Sequence, residues 1–145
     1  MPQNPPEGFA RFTPYLLYED LEAAIEWLGT AFGFDEQLRV TGPDGGATHA
    51  ELHLDDGVVL MGHPGPDYRS PKQVGASCQS VYVYVDDVDA HHRQAKEAGA
   101  TIFEEPNEVP YGDRRYGASD PEGQVWFFAQ HVRDVPPEDC GATTA

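Results

Sequence analysis

Two stretches of this chain read alike. PYLLYEDLEAA at 14–24 aligns with VYVYVDDVDAH at 81–91, placing Tyr15 on Tyr82, Asp20 on Asp87, Leu21 on Val88 and Ala23 on Ala90. Farther along, DDGVVLM at 55–61 aligns with PEGQVWF at 121–127, with Gly57 on Gly123. Two matches at nearly the same separation indicate one supersecondary unit written twice. A chain of 145 residues has room for two such halves sharing a core, and 39% hydrophobic residues supply that core.

Each copy has the same grammar. A run of period two predicts a strand, and an acidic residue follows where a helix N-cap belongs, Asp20 in one copy and Asp87 in the other. The first helix carries Leu21, Ile25, Leu28 and Phe32 on one stripe and stops at Gly33; the second aligns Val88, His92 and Ala95 and stops at Gly99. Three strand-like runs follow each helix: QLRV, THAELHL and VVLM, then TIFEE, RRYGAS and QVWFFA, separated by GPDGG, DDG and DPEG turns. The unit is βαβββ, and the fold class is α+β. The predicted domain spans 9–131, with modules 9–63 and 79–131, a connecting loop 62–78, and tails 1–8 and 132–145. The loop is long and Pro/Gly-rich. Tyr68 and Arg69 make it a candidate lid.

Alternation assigns faces. Val81, Val83 and Val85 suit packing under a helix, whereas Ser80, Tyr82 and Tyr84 form a mixed face. On THAELHL, Ala50, Leu52 and Leu54 face the core, and His49, Glu51 and His53 face the other way. On QVWFFA, Phe127 opposes Trp126 and Phe128. With helices on the outer sides of two sheets, the mixed faces would be enclosed as a cleft. His49, Glu51 and His53 cannot all reach one ion, because i and i+4 lie about 13 Å apart along a strand (four residues at ~3.3 Å). An adjacent pair would still need a ligand from elsewhere. Trp27 and Trp126 are expected in the core, and His91 and His92 are expected to pack or face solvent. His63 and His131 stand isolated in the sequence.

The formal charge of −16, from 25 acidic and 9 basic residues, repels phosphate backbones and anionic membranes, so neither nucleic acid nor membrane is an expected partner. Cys78 and Cys140 form no CxxC pair and indicate neither a disulfide framework nor a cysteine zinc site. MPQNPPEGFA lacks the basic-then-apolar plan of a secretory signal. A cytoplasmic location is expected.

The duplicated unit, together with YLLYEDLEAAIEWLGTAFGF, YVYVDDVDAHHRQAKEAGA and YGDRRYGASDPEGQVWFF, resembles the glyoxalase/bleomycin resistance/dioxygenase proteins, the vicinal oxygen chelate superfamily. The resemblance implies two tandem βαβββ modules whose curved mixed sheets form a ligand cleft, in a homodimer. Metal-dependent members place four ligands on cleft-facing strands. Those positions fall here on Thr13, near Glu51, on Ser80 and on Phe127, and only Glu51 is a ligand type. The chain therefore resembles the metal-free branch, whether phosphonate-metabolism-like or drug-binding, with no metal and no cofactor. The YGDR loop, similar to one near the cleft in that branch, makes Arg114 a candidate clamp for a carboxylate or phosphate, Arg115 a weaker one, and Asp113 a loop-positioning residue. The expected partner is a small organic molecule. Its expected contacts are Tyr15, His49, Glu51, His53, Tyr82, Tyr84, Arg114 and Phe127, and its expected fate is sequestration of an antibiotic or toxic metabolite. The alternatives are a metal-dependent lyase, isomerase or dioxygenase built around His49, Glu51 and His53, or an interaction protein with a vestigial cleft.

Overall fold

A computed structural model describes all 145 residues. Module one runs β1 (Tyr15–Leu17), α1 (Leu21–Phe32), β2 (Asp35–Thr41), β3 (Ala47–Leu54) and β4 (Gly57–Gly62). A single helical turn, α2 (Pro71–Val74), interrupts the connector. Module two runs β5 (Ser80–Tyr84), α3 (Val88–Glu97), β6 (Thr101–Glu108), β7 (Asp113–Ser119) and β8 (Val125–His131). The duplicated βαβββ plan is present in full. The sheets have matching orders, β1-β4-β3-β2 and β5-β8-β7-β6, each with one parallel pair beside antiparallel ones.

The helix boundaries follow their caps. Asp20 Oδ1 accepts the Ala23 N–H at 3.1 Å, and Asp87 Oδ1 accepts the Ala90 N–H at 3.0 Å. Gly33 ends α1 at φ 79°, a left-handed conformation that glycine adopts without steric cost. The whole Leu21, Ile25, Leu28 and Phe32 stripe is buried.

The position of the helices differs from expectation. They do not cover the outside of a sheet pair. The core-facing sides of both sheets and both helices form one continuous cluster, with Phe32 against Phe128 at 4.5 Å and against Trp126 at 5.5 Å between ring centroids. Trp27 Nε1 donates to the Ala98 carbonyl, tying α1 to the end of α3. The mixed faces consequently point away from this core and stay open. Tyr15 is 55% exposed and Tyr84 60%. One chain does not enclose a cleft between them. The physical reason is that the largest apolar side chains of each module lie on its helix side, so the modules join there.

The DPEG turn holds the modules together. Asp120, 5% exposed, accepts from Tyr18 Oη at 2.7 Å, Trp126 Nε1 at 3.2 Å and the backbone N–H groups of Glu122 and Gln124. Burial pushes the Asp120 carboxyl above its usual range, against the pull of these four donors. Glu122 receives the N–H groups of Glu19 and Asp20 ahead of α1, and Gln124 Nε2 donates to the Leu17 carbonyl. The connector is strapped to the same place. Tyr68 Oη donates to the Leu17 carbonyl, and Gln73 Nε2 donates to Glu19. Tyr68 thus straps the connector to β1. No helix is long and apolar enough to cross a membrane.

Candidate functional site

The first open face belongs to the β1-β4-β3-β2 sheet. β3 presents His49, Glu51 and His53, while its alternate residues Ala50 and Leu52 are buried. Register places His49 opposite Gly62 and Val40, and Glu51 opposite Leu60 and Leu38. Leu38 and Val40 are exposed, so the face is half apolar. Tyr15 lies over Gly62, where a Cβ would collide with its ring, and its centroid is 5.9 Å from that of His49. Of the three polar residues on β3, Glu51 and His53 approach each other at 3.6 Å, too long for a hydrogen bond. No three His, Cys, Asp or Glu side chains converge at metal-binding distance. Phe127 offers no donor atom at all, and Thr13 and Ser80 offer only neutral hydroxyls. This set does not fit the family's metal ion.

The second open face belongs to the β5-β8-β7-β6 sheet and is aromatic. Tyr82 stacks near Phe127 at 6.2 Å and 27°, Tyr84 meets Tyr82 edge-on at 5.6 Å, and Phe103 meets Phe127 edge-on at 5.5 Å. Gly117 makes this possible, since a Cβ there would sit 2.5 Å from the Phe103 ring. Phe103 and Tyr111 are about half exposed. Arg115 lies over the Phe127 ring, with Cζ 4.7 Å from the centroid.

At one end of this face Asp113 is 1% exposed and collects donors. Tyr82 Oη donates to Oδ2 at 2.8 Å, Tyr84 Oη to Oδ2 at 3.0 Å, and His131 Nδ1 to Oδ1 at 2.8 Å. Burial alone would raise the Asp113 carboxyl, but these three hydrogen bonds hold it below its usual range. Burial and the bond to Asp113 raise both tyrosines. The hydrogen bond His131 donates to Asp113, reinforced by one to Asp134, holds its imidazole above its ordinary range.

Tyr15, His49, Glu51 and His53 therefore share one face, and Tyr82, Tyr84 and Phe127 share the other. The structure does not bring these two groups together within one chain. Arg114 joins neither. It shares parity with buried Tyr116 and Ala118, points to the helix side, and forms a fork with Asp89 of α3 at 2.9–3.3 Å. Arg115 takes the face position expected of Arg114. Phe103, Tyr111, Asp113 and His131 were not anticipated as face residues. β7 alternation separates 113 and 115 from 114 and 116, but which set faces outward depends on Gly117 pairing with Phe127, a long-range register. His91 is a packing residue, bonded to the Phe32 carbonyl through Nε2 at 2.8 Å and to Tyr116 Oη through Nδ1 at 2.6 Å.

A cavity of about 350 Å³ opens between the start of β4 and the free edge of β5. Phe12, Phe34, Leu52, Val81 and Trp126 line it, with Asp55 and Asp56 at its mouth. Val85 N–H donates to the Ala129 carbonyl, so alternation turns the peptide groups of Tyr82 and Tyr84 toward this unpaired edge.

Paired βαβββ modules with these sheet orders define a superfamily, and sequence comparison agrees. The model of the glyoxalase/bleomycin resistance protein/dioxygenase superfamily matches residues 9–128, and the chain belongs to that superfamily. The uncharacterized protein Rv0887c of Mycobacterium tuberculosis is 32% identical over 135 residues, covering 90% of this chain and 79% of its own length. The crystal structure of TioX from Micromonospora sp. ML1 superposes with a TM-score of 0.70 at 34% identity, over 86% of this chain and all of that one. The fosfomycin resistance protein FosX from Listeria monocytogenes shares the fold, with a TM-score of 0.62 at 11% identity, over 84% of this chain and 93% of that one.

Proposed function

We propose that this chain is a metal-independent small-molecule-binding protein that works as a homodimer and sequesters its ligand. The observation that carries this reading is the open aromatic face on which Tyr82, Tyr84 and Phe103 are exposed around half-buried Phe127, on a sheet whose other side packs into the core. A monomer gains nothing by leaving such a face in water. A second copy would set the His49, Glu51 and His53 face of one chain opposite the aromatic face of its partner, closing two equivalent clefts by one two-fold axis. The free edges of β1 and β5 suit the same contact. The reading as a binder without metal draws on the donor set: a single carboxylate, with Thr13, Ser80 and Phe127 at the family's remaining positions.

Fluorescence titration with the neutral probe N-phenyl-1-naphthylamine tests the proposal. Saturable binding of one probe per chain is expected, unchanged by EDTA and lost in Phe127→Ala. Calorimetric titration with Zn²⁺, Ni²⁺, Mn²⁺ and Fe²⁺ is expected to give no tight site. A stoichiometric site lost in Glu51→Ala would overturn the metal-independent reading and favour the lyase, isomerase or dioxygenase alternative. Light scattering should give twice the 15.9 kDa chain mass.

A further inference from the structure

The hydrogen-bond polarity of the aromatic face restricts what it will accept. The tyrosine and histidine donors around Asp113 are committed to protein carboxylates, and Arg115 is turned to Glu104 and Tyr111; Tyr111 Oη accepts from Arg115 and keeps its own proton. Tyr82 and Tyr84 spend their hydroxyl protons on Asp113, and His131 faces carboxylates through both ring nitrogens, Asp113 and Asp134, each at 2.8 Å. Arg115 spends Nε and Nη2 on Glu104, at 2.8 and 3.3 Å, and Nη1 on Tyr111 Oη at 2.8 Å. Both cations are therefore neutralised where they stand. What remains for a ligand is chiefly the outward lone pairs of the tyrosine oxygens, the aromatic ring faces, and the field of Asp113, Glu104 and Asp134. Each of these attracts positive charge or N–H donors and repels anions. Phe127 already carries the Arg115 guanidinium over its ring, a cation–π contact the face makes by itself, so a ligand cation is left with the rings of Tyr82, Tyr84 and Phe103.

We infer that the aromatic face takes flat, cationic ring systems and excludes ligands carrying carboxylate, sulfonate or phosphate. This rests on the proposal that the face is the ligand site, and it specifies the ligand class. Tyr84 and Tyr82 are the specificity-determining residues, oriented as acceptors by Asp113. Arg114, the expected anion clamp, is turned to the helix side and bonded to Asp89.

Three probes of similar size separate the cases: proflavine (cationic), N-phenyl-1-naphthylamine (neutral) and 1-anilinonaphthalene-8-sulfonate (anionic), each titrated by fluorescence at physiological salt. The expected order is proflavine tightest, the neutral probe next, and the sulfonate unbound. Tyr84→Phe, a change at an exposed side chain, should weaken proflavine by about tenfold, the scale of one lost polar contact to a cation, and the neutral probe by much less, so that the preference for the cation falls. Asp113→Asn should do the same and admit the sulfonate. Asp35→Gln, which removes one charge on β2 of the other sheet, should change nothing; an equal loss there would reduce the preference to bulk attraction by an acidic chain and overturn the inference. If the neutral probe binds and is lost in Phe127→Ala but the sulfonate binds as well as proflavine, the site stands and the charge selectivity falls. If no probe binds, both fall.

Discussion

Asp120 gathers four hydrogen bonds where the second module meets β1 and α1. Alanine there would strand Tyr18 Oη, Trp126 Nε1 and two backbone N–H groups around a buried gap. The expected loss is about 3 kcal/mol or more in urea unfolding. Arg114→Ala makes the contrast. Its fork to Asp89 is partly exposed, so the expected cost is under about 1 kcal/mol, with probe binding unchanged. His91 gives a pH signature. Burial lowers its pKa, outweighing the bond to the Phe32 carbonyl, so the folded state resists protonation. The unfolded chain then binds the extra proton first, and stability falls as pH drops from about 6.5. In His91→Asn that part of the acid dependence should be absent from thermal melts between pH 7 and 5. His131 has the opposite sign. Its raised pKa supplies stability below about 6.5 that fades as pH climbs through the folded value.

Elements show where reading from sequence succeeds. The caps Asp20 and Asp87, the α1 stripe and the alternation on THAELHL are local patterns, and local patterns survive folding. Replacing either cap with alanine should cost about 1 kcal/mol. Phe32→Ala should cost far more, about 3–5 kcal/mol, because that ring fills the junction of α1, α3 and β8. What stayed hidden was relational. Arg114 and Arg115 are adjacent and chemically equal, and only the pairing of β7 with β8 decides which one reaches the aromatic face. Asp113 and His131 lie 18 residues apart in sequence, and no motif announces that they meet. The side of each strand that packs under a helix was legible, as Leu52, Val83 and Trp126 show; that the helices would lie between the sheets and leave the mixed faces open was not, because it depends on how the two modules join.

For the whole molecule, charge and assembly are linked. A chain of −16 repels itself and its copies, so added salt should raise both the melting temperature and the fraction of the proposed dimer, read by calorimetry and light scattering across about 0.02 to 0.3 M. A fall in dimer with salt would mean that the interface is ionic instead of apolar.

The clamp at Asp120 also sets an order of events during synthesis. Tyr18 and its acceptor are 102 residues apart, and the N–H groups ahead of α1 wait for Glu122 over a similar span. The first module therefore emerges from the ribosome with the entrance to its helix unfinished, while the residues that complete it are among the last of the second module to be made. Such a chain cannot bank its first half as a finished unit. It commits late and as a whole, and a ribosome stalled before residue 120 would hold a nascent chain that proteases cut freely.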